Sequence, residues 1–185
     1  MKNLLFIVTM VIAFILQANE ASAFIARGTL KGLVYSSPLI TTATVSSISA
    51  KIEKDSQGKE HVYTYVTIHI KSILKGNVKN SSLLVKMFGG RINGKGSWSE
   101  EWIQFKTNEE VLLFLHPEDM EKNIWKMKSQ SSKLSIITTN GARSFDCSKL
   151  YPDGEVSKNN SYPLMEENII INKIKDYILT NKGGY

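Results

Sequence analysis

Val62-Tyr63-Thr64-Tyr65-Val66-Thr67-Ile68-His69-Ile70-Lys71-Ser72-Ile73-Leu74 is the stretch that decides the fold class. β-branched and aromatic residues fill it, and they alternate. Val62, Thr64, Val66, Ile68 and Ile70 share one parity, and Tyr63, Tyr65, Thr67, His69 and Lys71 share the other. A period of two predicts a strand, with the first set toward a core and the second toward solvent or a partner.

The flanking sequence continues in the same vein. Upstream, Asp55-Ser56-Gln57-Gly58 reads as a hairpin connection. Before it, Pro38 opens a second strand in which Leu39, Thr41, Ala43 and Val45 share one parity and Ile48, Ala50 and Ile52 the other. That switch predicts a β-bulge near Ser46-Ser47, the kind of bend barrel closure uses. Thr29–Ser36 reads as a short helix, with Leu30, Leu33 and Val34 on one side. Downstream, Lys75-Gly76-Asn77 turns the chain into a strand over Leu83–Phe88, which Gly89-Gly90 ends. Residues 89–100 form a glycine-rich loop, and Trp102–Phe105 a short strand. Val111-Leu112-Leu113-Phe114-Leu115 has no alternation, so both of its faces should be buried, with Pro117 as its stop. Ile124–Met127 and Leu134–Thr138 are two further strands, and Asn140-Gly141 is a turn.

The C-terminal segment changes period. Ile170, Ile171, Ile174, Tyr177 and Ile178 form a helical stripe. Pro163 suits a first turn, Glu166 and Glu167 suit the positive end of the dipole, and Lys182 with Gly183 suits the other end. A helix over 163–182, packed on the barrel, is expected.

Composition bounds the alternatives. The chain has 185 residues, 42% hydrophobic and 22% charged, which excludes a disordered chain, a collagen or a coiled coil. Lys2, the apolar run Leu4–Leu16 and the small residues Ala21-Ser22-Ala23 read as a cleavable export signal over 1–23, with Phe24 as the mature N-terminus. The run is 13 residues, whereas crossing hydrocarbon takes about 20. No Cys follows it, so a lipoprotein is not expected; the protein should be secreted or periplasmic. The 162 residues that remain are enough to bury about two thirds of their unfolded surface. Cys147 is the single cysteine, so the exported chain folds without an internal disulfide. The net charge of +6 comes from scattered lysines, consistent with a solvated basic surface and weak attraction to anionic polymers.

The chemistry-bearing patterns fail one by one. Gly89, Gly94 and Lys95 match a phosphate loop until its last position, where Gly96 stands instead of the magnesium-binding hydroxyl. His61 and His69 lie on one strand face, but eight residues of strand separate them by ~26 Å, too far for one metal. His116 ends the buried run without a paired ligand. The carboxylates come as adjacent pairs such as Glu100-Glu101 and Glu109-Glu110, which on a strand point to opposite faces. No catalytic residue, metal or cofactor is predicted. A site assembled from distant residues stays open.

Two surfaces are candidates for partner binding. One is the outward row with Tyr63, Tyr65, His69 and Lys71, where aromatic and cationic groups suit stacking on sugars, bases or a protein. The other is the loop carrying Arg91, Trp98 and Trp102, residue types that anchor interfaces. Each has a plainer alternative: a helix or loop covering the row, and tryptophans plugging a barrel end.

Three blocks carry a resemblance: Tyr63–Thr67 leading to Leu74-Lys75-Gly76, then Gly89-Gly90, then Phe105 with Glu109-Glu110-Val111-Leu112-Leu113-Phe114-Leu115. Over residues 38–140 they resemble exported bacterial proteins and the netrin-type module of the tissue inhibitors of metalloproteinases. The resemblance implies a mainly β domain over 24–162, an OB-like, five- to six-stranded Greek-key barrel flanked by one helix. In those inhibitors an N-terminal Cys chelates the protease zinc, and disulfides hold the fold. Phe24 and the single Cys147 depart from both features, so the likeness extends to the scaffold. The expected function is a non-catalytic exported module for a protein partner such as a secreted or envelope hydrolase. The alternative is a barrel for an anionic glycan or nucleic acid, the latter disfavoured by export. Stable membrane insertion after cleavage is not expected.

Overall fold

In a computed structural model the described residues are 28–94, 96, 103–151 and 164–181. The export signal with Ala23 and Phe24, the loop residues Trp98 and Trp102, and Pro163 lie outside them.

The chain starts with β1 (Gly28–Thr29) and α1 (Leu30–Ser36), followed by two long strands, β2 (Leu39–Lys54) and β3 (Glu60–Lys75). β4 (Ser82–Phe88), β5 (Glu110–Asp119) and β6 (Ile124–Lys126) complete a barrel. β7 (Lys133–Thr139), β8 (Ala142–Asp146), β9 (Leu150–Tyr151), β10 (Leu164–Glu166) and α2 (Glu167–Asn181) follow.

The pairing closes on itself. β5, β2, β3 and β4 are consecutive antiparallel neighbours, β4 pairs with β6 in parallel, and β6 returns to β5. Five strands in the order 5-2-3-4-6, with one parallel pair, make the OB-like Greek-key barrel. The start of β5 also pairs with β7, which carries β8 and β10 outward as a short extension of the sheet.

That branching explains why Val111–Leu115 lacks alternation. Val111, Leu113 and Leu115 fill the barrel with Leu39, Ala43, Val45, Val66, Ile68, Leu83, Val85 and Trp125. Leu112 and Phe114 point the other way, into a second core with Leu134 and Phe145 under the helices. All five residues of the run are fully buried. The second core is roofed by Leu30, Leu33 and Val34 of α1 and by Ile170 and Ile174 of α2, with Ile171, Tyr177 and Ile178 at its rim. Tyr35 meets Tyr177 edge-on at 6.4 Å, which ties the two helices together. Burying a large side chain of this kind contributes about 1.5–3 kcal/mol.

Local chemistry sets the ends. Thr29 Oγ1 accepts the Gly32 N–H at 3.0 Å and caps α1. Lys75 Nζ donates to the Val34 carbonyl at 2.6 Å, a cation at the negative end of that helix. Gly76 turns β3 toward β4 at φ +84°, where a Cβ would lie 2.4 Å from the Pro38 carbonyl oxygen. The bulge in β2 falls between Val45 and Ser47, with two further irregularities nearer its start.

Three expectations need correction. Pro117 does not stop β5, which runs to Asp119; the proline sits at a bulge opposite Trp125, a place where its missing N–H is tolerated. Residues 103–105 are not a strand: Lys133 Nζ takes the Gln104 carbonyl at 2.6 Å and Glu109 accepts the Lys106 N–H at 3.0 Å, holding the segment as a loop. The C-terminal helix begins at Glu167 rather than 163, because Leu164–Glu166 pair with β8 first.

Candidate functional site

The β2–β3 hairpin is longer than the barrel. β2 pairs with β5 over Leu39–Thr44, while its later residues pair with β3 on one side and extend to the Asp55–Gly58 turn. The arm so formed carries the outward row, with Phe88 of β4 opposite Tyr63 and Lys86 opposite Tyr65.

The row divides into three environments. Tyr65 is buried, 6% exposed, which corrects its place on a stacking surface. Lys51 lies 5.2 Å from its ring centre and Lys86 5.8 Å, and its hydroxyl donates to Glu53. Lys86 Nζ also donates to Glu53 at 2.7 Å. The lysine bond first, then the tyrosine bond, hold the Glu53 carboxyl below its ordinary range. Burial and the bond to Glu53 push the Tyr65 phenol up.

Tyr63 belongs to an aromatic trio. Its ring centre is 5.5 Å from that of Phe88, nearly perpendicular, and 6.5 Å from that of His61; His61 and Phe88 are 5.5 Å apart. Lys86 covers Tyr63 at 4.1 Å. Asp55 holds His61 through Oδ2 to Nε2 at 2.8 Å, while its Oδ1 accepts the N–H groups of Gln57 and Lys59. The hydrogen bond from His61, followed by that from Lys59, lowers the Asp55 pKa. Phe88 stands 55% exposed at the tip of the trio.

At the far end His69 is exposed, and Lys71 is taken into a chain of ion pairs. Lys71 contacts Glu110, Glu110 meets Arg143 at 2.7 Å, and Arg143 reaches Glu167 at 2.6 Å. This chain ties barrel, extension and α2 together. Lys71 above all, and then desolvation working in the opposite sense, set a lowered Glu110 pKa. So the structure separates Lys71 from the tyrosines. Arg91 is exposed just past β4. Among the described residues, Trp125 helps fill the barrel, and its indole N–H donates to Asn123 at 3.1 Å.

Sequence reasoning missed His61, Phe88, Lys86, Lys51 and Glu53. Each has the outward parity of its own strand, and cross-strand register is what joins them. Among the described residues no group of three His, Cys, Asp or Glu side chains is placed to hold a metal ion. Cys147 is fully buried, and burial with Asp146 nearby pushes its thiol up to about 11. No protein-family model matches this chain, and no curated protein matches it.

Proposed function

We propose that the chain is an exported, non-catalytic binding module that grips a protein partner through the aromatic trio His61, Tyr63 and Phe88. The observation that carries this reading is Phe88. It is a large apolar side chain, more than half exposed, standing at the end of β4 and braced by two rings, Tyr63 edge-on and His61 tilted. Central aromatic anchors with a polar surround are the usual hot spots of protein interfaces. Lys51 and Lys54 on the arm, with Lys86 beside it on β4, supply that surround.

The anionic-polymer alternative draws on less. Lys86 is engaged by Glu53 and Lys71 by Glu110, and cations already cover Tyr63 and Tyr65. The expected export and the compact barrel support a secreted or envelope hydrolase as the partner class. The leader over 1–23 supports export, which N-terminal sequencing of the secreted protein checks by a start at Phe24.

Immobilised chain incubated with culture medium of its own source should retain a stoichiometric protein at about 0.15 M salt, where exposed charge attraction is largely screened. Phe88→Ser should lose it and His69→Ala keep it. Retention by Phe88→Ser overturns the reading. Capture of glycan or nucleic acid that falls steeply with salt favours the alternative.

A further inference from the structure

We propose that two copies of this chain pair strand to strand through the open edge of β2, antiparallel about a two-fold axis at Ala50. Over Ser47–Glu53 β2 pairs with β3 on one side. On the other side, the contacts to the β5 segment end where the Val45 N–H reaches the Glu109 carbonyl at 2.9 Å and Asn108 returns one at 2.8 Å. Among the described residues no strand pairs with the far edge of 47–53. Alternate backbone N–H and C=O groups therefore form a row that another strand can match.

The side chains select a second copy as the occupant. With Ala50 opposite Ala50, Ile48 faces Ile52 of the second copy and Ile52 faces its Ile48. Lys51 then faces Ser49 and Glu53 faces Ser47, so no like charges are opposed. Centring the pair on Lys51 instead sets two ammonium groups against each other. Centring it on Ser49 places Ile52 against Ser46. A slip of one residue sends the isoleucines to opposite faces. Ile48 and Ile52 are 39% and 46% exposed, apolar area that the proposed register covers.

The usual guards of an open edge are drawn aside here. Lysine on an edge strand normally discourages pairing. Lys51 leans over the Tyr65 ring at 5.2 Å, and Lys54 reaches Glu60 at 3.9 Å, both toward β3. The bulge precedes the stretch rather than interrupting it. Seven residues span only ~20 Å, so the dimer is a weak one, forming in the micromolar to millimolar range because its interface falls below the standard size. The trio on β3 and β4 stays outward in the pair, which makes the dimer bivalent.

Sedimentation velocity on the purified chain, from micromolar concentration to about 1 mM, should show a reversible monomer–dimer equilibrium. Ile48→Lys with Ile52→Lys should weaken it by about tenfold or more, since two isoleucine pairs become close cations; circular dichroism checks that the fold is kept. In a second measurement, Ile48→Cys and Ile52→Cys proteins mixed under oxidation should crosslink to each other. Each alone should not, because identical positions lie ~14 Å apart in this register, beyond disulfide reach. A strict monomer at the highest concentration overturns the proposal. So do a dimer indifferent to the paired lysines, a crosslink formed equally well by Ile48→Cys alone, and an edge occupied by a strand of another protein.

Discussion

Replacing His116 by Gln should remove a pH dependence that burial builds into this fold. His116 sits on β5 opposite Lys126, 7% exposed. Burial, then the nearby charges of Lys128, Lys126 and Lys75, push its pKa from 6.5 down to about 4. In the unfolded chain the ring titrates near its ordinary value. Between those two values the unfolded state binds a proton and the folded state does not, so stability rises with pH across the window. It is complete above about 6.5 and declines by about 1.4 kcal/mol per pH unit below that, about 3 kcal/mol by pH 4. The lowered carboxylates Glu53, Glu109 and Glu110 start from 4.5, so their contribution is lost at lower pH still, and in both proteins alike. Urea midpoints measured across this range, with m-values checked for constancy, separate the terms. The His116→Gln curve should be nearly flat where the parent curve slopes. Parallel curves, or a His116 imidazole resonance, the one lost in His116→Gln, titrating near about 6.5, refute the reasoning.

Gly76→Ala should cost about 3 kcal/mol or more, because backbone strain and a hard contact add, its Cβ arriving 2.4 Å from the Pro38 oxygen. Gly58→Ala, also at positive φ but with nothing within 4 Å, should cost only about 1–2 kcal/mol; equal shifts in the urea midpoint refute the steric account. Lys133 and Glu109 form an ion pair at 2.7 Å with side chains 9% and 15% exposed. Lys133→Met alone should cost about 3–5 kcal/mol by stranding the carboxylate, and adding Glu109→Gln should recover part of it; strict additivity in the double-mutant cycle counts against the coupling. Cys147 should resist alkylation at pH 8 in the native chain and react promptly in denaturant, since its thiol is buried and held protonated. Labelling at the rate of a small free thiol contradicts its placement.

The strands of the barrel were legible in the sequence because their determinants are local in form, whereas their closure into an OB-like barrel was what the resemblance implied. Alternation in 62–70 marks β3, the parity switch at Ser46-Ser47 marks the bulge, and the turn residues mark the connections. The helical stripe from Ile170 marks α2. What escaped was decided by contacts between distant segments. Pro117 carries a strong local stop signal, yet the strand runs through it because β6 offers partners beyond the bulge. Leu164–Glu166 sit beside helix-starting residues, yet β8 recruits them as an edge strand. Tyr65 has an outward parity and an outward position, and is buried all the same. Three long polar side chains, Lys51, Glu53 and Lys86, lie down over it from neighbouring strands. Parity tells which face a residue occupies; it does not tell how tall its neighbours are.

The two proposals rest on one mechanical fact, a hairpin longer than the barrel it helps to close. β2 and β3 have 16 residues each, and β5 covers only the first part of β2. On and beside the surplus, apolar side chains remain at exposed positions on both faces: Phe88 of β4 outward, opposite Tyr63, and Ile48 and Ile52 of β2 on the other side. Apolar area left exposed on the sheet argues for surfaces completed by contact. The surfaces are separable. Ile48→Lys with Ile52→Lys removes the edge pairing and leaves the trio, so partner capture should persist with reduced avidity. Phe88→Ser removes the anchor and leaves the edge, so self-association should be unchanged. If the lysine pair instead abolished capture at saturating partner, the arm would carry one composite interface, and the partner would lie across the edge where the second copy is placed here.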